Sequence, residues 1–206
     1  ALCVSQETGV YCSGTLAEGI GEGPQDNCRY GTGRPISNLN EFRNPNIACG
    51  TAHCCAWALD QTIIRCWGRN HVGQCGQTAS TRLVTSPRNV EIAGATRISS
   101  MALGANHSCA LVTTNQGYDR VYCWGDNSNG KLGRQGANDH RPGEVLDVFD
   151  NRAMQRIQQA IVAGPEHTCG NLGPNDMQDP GHLVGLACWG SNSGGSIGQN
   201  PDIMPS

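Results

Sequence analysis

Residues 108–114, Ser-Cys-Ala-Leu-Val-Thr-Thr, set an apolar run between polar ends and predict a β-strand. Residues 97–104 read as a strand before it, with Ala105-Asn106-His107 as the turn between. Asn115-Gln116-Gly117-Tyr118-Asp119 is a second turn, rich in residues that tolerate positive φ. Arg120 to Trp124 forms a third strand, and the run Gly125-Asp126-Asn127-Ser128-Asn129-Gly130 turns into a short fourth. Four antiparallel strands in about fifty residues is the size of one propeller blade.

This unit is not alone. Val121-Tyr122-Cys123-Trp124-Gly125 through Gly130-Lys131-Leu132-Gly133 is echoed earlier by Arg65-Cys66-Trp67-Gly68 through Gly76. It is echoed later by Ala187-Cys188-Trp189-Gly190 through Gly198. A degraded copy, Val10-Tyr11-Cys12-Ser13-Gly14 and Gly19-Ile20-Gly21, opens the chain. The units span approximately 1–30, 31–85, 86–145 and 146–206. The intervening growth sits in loops at 22–46, 134–160 and 170–185, where binding residues on repeat scaffolds usually lie. Phe149 to Gln159 is expected to make one or two helical turns before a strand at 160–164.

The recurring words G-x-x-H-x-C-A-L and V-Y-C-W-G-x-N-x-x-G-x-L-G resemble the repeat of the regulator of chromosome condensation family (RCC1-like repeats). Gly104, His107, Ala110, Leu111, Trp124, Gly125, Asn127, Gly130 and Gly133 carry the match in the third unit. Gly50, His53, Ala56, Trp67, Gly68, Asn70, Gly73 and Gly76 carry it in the second, and Gly164, His167, Trp189, Gly190, Asn192 and Gly198 in the fourth. The resemblance implies an all-β fold: about four β-propeller blades, the first incomplete, each a four-stranded antiparallel sheet. Members of that family usually close with seven blades, so closure here is open to three explanations: a longer polypeptide, an open arc, or a ring completed by a neighbouring subunit. Ala1 to Val4 reads as the second strand of a blade whose first strand is missing.

Composition then narrows the function. A net charge of −3 with no Lys/Arg cluster lacks the basic face that binds phosphates, so nucleic acid is excluded as a partner. No run approaches the roughly eighteen apolar residues of a membrane helix, so membrane insertion is not expected. The first residue is Ala1 rather than Met, as in a processed, mature chain.

Twelve cysteines, an even number, change the picture most. Cys3 and Cys12, Cys55 and Cys66, Cys109 and Cys123, and Cys169 and Cys188 fall opposite one another in successive hairpins, close enough for intra-blade disulfides. Cys28, Cys49, Cys54 and Cys75 remain. Cys54 points away from the face of its neighbour Cys55; pairing it with Cys49 leaves Cys28 for Cys75, but three connectivities exist and intermolecular bonding is a fourth route. Such cysteine density predicts a secreted, extracellular or cell-surface protein.

Other candidate chemistry reads as framework. His53, His107 and His167 repeat at one position, which argues for packing, with each ring hydrogen-bonded to its turn, over zinc binding. Trp67, Trp124 and Trp189, with Gly68, Gly125 and Gly190, also repeat, and are expected inside the blades. Trp57 departs from the pattern and is either packed or a surface anchor. Asp126, Asp139, Asp147 and Asp150 form an acidic neighbourhood better explained by turn solvation than by a carboxylate pair or calcium. Asn106-His107-Ser108 is an N-glycosylation sequon. No G-x-S-x-G, H-E-x-x-H or P-loop occurs, so no enzyme and no cofactor are expected. The expected function is a non-catalytic extracellular module that interacts with protein, self-associating through unpaired blade edges into a fibre or surface layer. The alternative is a soluble binder that uses loops on one face, either a β-lactamase-inhibitor-type protein or a lectin. Guanine-nucleotide exchange, the founding activity of the resembling family, is opposed by the cysteines and the missing basic tail.

Overall fold

Hairpins joined edge to edge build four antiparallel sheets in chain order. The computed structural model describes residues 2–6, 9–13, 36, 38, 39, 42, 44–59, 61–145, 157–172 and 185–197. The first sheet is the hairpin of β1 (Leu2–Gln6) and β2 (Gly9–Ser13). The second runs β3 (Asn46–Cys49), β4 (His53–Trp57), β5 (Ile64–Arg69) and β6 (Leu83–Val90), each paired with the next. The third repeats this with β7 (Ala95–Leu103), β8 (His107–Thr114), β9 (Asp119–Gly125) and β10 (Asp139–Glu144). The fourth contains β11 (Ile157–Ala163), β12 (His167–Leu172) and β13 (Gly185–Gly190). This is the blade architecture that the recurring pattern implies.

Two strand expectations are corrected. The fourth strand of the third blade does not follow directly on the Gly125–Gly130 turn but begins at Asp139. The residues between form a loop closed on the Asn127 amide, described below. The strand expected at 160–164 starts earlier: β11 begins at Ile157, which pairs with Leu172. The residues before it, 146–156, where the helical turns are expected, lie outside the described residues. β6 also crosses residues 85 and 86, where the sequence divides the second unit from the third.

The core forms where one sheet lies against the next. Trp67, Ile98, Val112 and Trp124 are buried in one cluster, and Leu111, Val121, Leu132, Ile161 and Trp189 in another. The second cluster joins the third blade to the fourth, so burial is shared between units rather than contained in them. Trp57 lies in the first cluster and is packed, not a surface anchor. The outer strands β6 and β10 each carry a proline, Pro87 and Pro142, and a register shift against their neighbours. A missing N–H and an irregular edge make both poor templates for strand addition. Among the described residues no helix is long and apolar enough to cross a membrane.

Candidate functional site: the junctions between blades

The repeated His, Gly and Trp converge on the seams between blades. His53 is buried, and its Nε2 lies 2.8 Å from Ser108 Oγ in the next blade. His107 repeats the contact one blade on, 2.8 Å from Thr168 Oγ1. The Ser108 hydroxyl donates to the Gln74 carbonyl at 2.9 Å, so its proton is committed and His53 Nε2–H is the donor. The sequence expectation that each ring bonds its own turn is therefore corrected: the bond crosses to the next blade. Burial lowers the His53 pKa to about 3, helped by the nearby His107. Burial also lowers that of His107 to about 4, reinforced by the charge on Lys131. Both rings are neutral at physiological pH.

The glycines make room for this. A Cβ on Gly104 would lie against the His107 ring, 2.9 Å from Nε2, so the G-x-x-H spacing exists to seat an imidazole on bare backbone. Gly125 has φ +106°, and a Cβ there would meet the Asn106 carbonyl at 2.5 Å. The tryptophan just before Gly125 closes the seam: Trp124 Nε1 donates to the same Gln74 carbonyl at 3.0 Å.

Lys131 is the counterpart of Gln74 in the third blade. Its side chain is buried, with Nζ 2.7 Å from Asp126 Oδ2 and also ion-paired to Glu166 of the fourth blade. Opposed by burial, the hydrogen bonds to the two carboxylates still hold the Lys131 pKa above its usual value. Asp126 additionally accepts from Ser128 N and Oγ, at 3.0 and 2.8 Å. Asp139 accepts from Arg141 N at 3.0 Å. The two described acidic residues thus serve separate local bonds; Asp147 and Asp150 lie outside the described residues. Among the described residues no group of three His, Cys, Asp or Glu side chains is arranged to hold a metal. Asn127 donates to the Arg134 and Gly136 carbonyls at 2.9 and 2.8 Å and accepts from Leu132 N at 2.9 Å, which closes the loop before β10. Asn70 does the same work in the second blade, accepting from Cys75 N at 2.9 Å and donating to the Thr81 carbonyl at 2.7 Å.

Disulfides staple the hairpins. Cys55–Cys66, Cys109–Cys123 and Cys169–Cys188 each join directly opposed positions with Cα atoms 4.1 Å apart. Cys3 and Cys12 are opposed in the same register, but their side chains lie outside the described residues. Cys49 pairs with Cys54 across the Gly50–His53 turn. Cys75 is a free, fully buried thiol whose Sγ lies 3.2 Å from the Arg69 carbonyl. Pairing of Cys75 with Cys28 is thereby corrected, and burial removes Cys75 from intermolecular bonding; Cys28 itself lies outside the described residues. Cys75 occupies the position that Leu132 fills one blade later, and acts as a small apolar plug. Asn106 of the sequon accepts from Gln74 Nε2 at 3.3 Å, and the sequon's Ser108 is buried in the seam.

Sequence reasoning missed Ser108 and Thr168, the partners of the repeated histidines, and Gln74, Lys131 and Glu166, which complete the seams around them. A signal was present, because the residue after each framework His is Cys54, Ser108 or Thr168, which is small and polarizable or hydroxylated in each unit.

The sequence matches the repeat described as the regulator of chromosome condensation (RCC1) repeat at residues 66–111 and 118–170, and a second form of that repeat at 98–131. Among curated proteins, the ultraviolet-B receptor UVR8 of Arabidopsis thaliana is 28% identical over 166 residues, which cover 73% of this chain and 35% of that protein. Human WBSCR16 shares the fold with a TM-score of 0.73 at 16% identity, covering 99% of this chain and 47% of that one. Yeast RCC1 (Prp20), solved bound to Kap60, has a TM-score of 0.71 at 20% identity, covering 94% of this chain and 42% of that one. The chain spans less than half the length of each.

Proposed function

The chain belongs to the RCC1 repeat family, and from that premise we propose that it is a non-catalytic, extracellular module that binds or assembles with protein. The observation that carries this reading is the employment of the reactive side chains. His53, His107, Lys131, Asp126 and the paired cysteines are tied into the seams and staples. What is left for a partner is surface: loops, rims and the ends of the array. Protein binding is supported by a relative whose structure was solved with Kap60 bound. The disulfides, placed in register in successive blades, support the extracellular compartment. Self-association into a fibre is the narrower form of the proposal, and it would use the ends of the array, because Pro87 and Pro142 blunt the outer strands.

A second reading, a lectin or loop-based inhibitor, is favoured by one feature. A shallow, open depression lined by Asn38, Arg65, Gln77, Pro87, Arg88 and Asn89 has a polar rim, with Arg88 and Asn89 exposed, of the kind a polar ligand needs. Immobilised full-length protein presented to a glycan array, to β-lactamase and to itself separates these outcomes. Binding to protein that survives saturating free sugar is expected. Binding to glycans alone, or turnover of any presented substrate, would refute the proposal. Native material unfolded in urea and alkylated without reductant should report Cys75 and no staple cysteine; reduced staple cysteines would refute the extracellular assignment.

A further inference from the structure

The outer hairpins of the second and third blades, β5–β6 and β9–β10 with the loops between them, differ in charge balance. Residues 119–144 carry Arg120, Lys131, Arg134 and Arg141 against Asp119, Asp126, Asp139 and Glu144. Each of those cations meets a carboxylate: Arg120 on Glu144, Lys131 on Asp126 and Glu166, Arg134 and Arg141 on Asp139. Residues 64–90 carry Arg65, Arg69, Arg82 and Arg88 and no Asp or Glu. In sequence these arginines form no run; the pairing of β5 with β6 gathers them. Arg82 and Arg88 are exposed, and neither has a carboxylate partner among the described residues. The Arg82 carbonyl accepts from Asn70 N at 2.8 Å, and Arg88 lies opposite Cys66. Four residues of chain separate those two points, so the positions sit roughly 13 Å apart at about 3.3 Å per residue.

Beside Arg88, β6 bulges. Gly68 pairs with Val84 and Cys66 with Arg88, so β6 advances four residues while β5 advances two. A bulge re-aims side chains, and Arg88 and Asn89, neighbours in sequence, are both exposed. They rim the shallow depression whose other lining residues are Asn38, Arg65, Gln77 and Pro87. The buried Arg65 is committed to its surroundings: Nε donates to Asn89 Oδ1 at 2.9 Å, Nη1 donates to the Asn38 carbonyl, and the guanidinium lies 5.4 Å from the centre of the Phe42 ring. It contributes a fixed positive charge to the depression rather than donors. Asn89, its Oδ1 held by Arg65, keeps Nδ2 as a donor. Gln77 donates from Nε2 to the Asn89 carbonyl at 3.0 Å and presents Oε1 as an acceptor.

We infer that this depression and the arginines beside it bind an acidic oligosaccharide, a short chain of sugars bearing carboxylates. The Arg88 fork takes a carboxylate in two parallel hydrogen bonds. Arg82 attracts a second charge farther along the sugar chain, while Asn89 Nδ2 and Gln77 Oε1 take hydroxyls. An acidic peptide fits less well. The bulge and Pro87 deny it a strand to pair with, and the lining offers no apolar pocket to anchor a side chain.

This inference rests on the second reading above, whose ligand it names, and it holds whether or not the chain also binds protein. The test is titration calorimetry of the full chain with three probes: a short oligogalacturonate, the same oligomer fully methyl-esterified, and an oligoglutamate peptide of matched charge. Wild type is expected to bind the free acid, less tightly as salt is raised, and to bind the neutral ester on the order of tenfold more weakly. R88A should weaken binding of the acid on the order of tenfold, and R82A/R88A further. R97A removes an exposed arginine that does not line the depression, and should bind like wild type. All these variants should keep the wild-type melting temperature, because the side chains removed are exposed. No binding of the acid, equal binding of the ester, binding unchanged in R88A, or a loss in R97A equal to that in R88A overturns the inference. So does a peptide that binds as tightly as the sugar, since the surface would then select charge alone. On the glycan array, binding to neutral glycans only overturns this ligand and keeps the lectin reading; binding to no glycan overturns both.

Discussion

Replacing Thr168 by valine tests whether the hydroxyl–histidine bond joins one blade to the next. The substitution keeps the shape of a fully buried side chain and removes only Oγ1. His107 Nε2 then loses its 2.8 Å partner in a place water does not reach. A buried polar nitrogen left without its partner costs about 1–3 kcal/mol. In a chain of this size each kcal/mol moves the melting temperature by roughly 2–4 °C, so a drop of roughly 4–8 °C is expected for about 2 kcal/mol. The assay is thermal and urea unfolding of wild type, T168V, T168S and a control, T96V. Thr96 Oγ1 donates to the Thr113 carbonyl at 3.0 Å in an exposed position, so T96V should stay within about 0.5 kcal/mol. T168S keeps the hydroxyl, as Ser108 does in the preceding seam, and should recover most of the loss. If T168V equals T96V, or T168S is as damaging as T168V, the bond does not hold the seam.

Acid should loosen the same seams. His53 and His107 titrate near 3 and 4 when folded but near 6.5 when unfolded, so unfolding takes up protons between those values. Their contribution is fully present above pH 6.5 and is lost as pH falls toward 4, at about 1.4 kcal/mol per pH unit for each histidine; urea midpoints that stay constant from pH 7 to 5 would contradict this. Gly104→Ala should destabilise by about 1–3 kcal/mol, because its methyl collides with the His107 ring, measured by the same unfolding curves. Cys75 should resist iodoacetamide in the native protein and react once urea is added without reductant, since burial both shields the thiol and raises its pKa. Peptide mapping without reduction should return Cys49–Cys54, Cys55–Cys66, Cys109–Cys123 and Cys169–Cys188; a Cys55 crossed to any other partner would refute the hairpin register.

Much of the blade was legible because the information is local. The apolar run within 108–114, the turn residues at 115–119 and the recurrence of Cys-Trp-Gly fix strand order and hairpin register within a few dozen residues. Opposed cysteines follow from that register without further knowledge. Where the reading erred, the cause was a contact outside the local window. The Asn127 amide closes a loop that delays β10 to Asp139, and the pairing of Ile157 with Leu172 draws the chain into β11 one turn early.

The division between the two levels lies at the seam. Sequence alone determined that His, Gly and Trp repeat, because a blade is a short-range object whose turns and pleats are written in neighbouring residues. It did not reveal that His53 reaches Ser108, that Lys131 requires Glu166, or that Cys75 is a buried plug without a bridge. Those partners lie up to about sixty residues apart and are brought together only when one sheet packs on the next. Tertiary structure decided them because hydrogen bonds and desolvation depend on which side chains share a dry space, and that space exists only between blades.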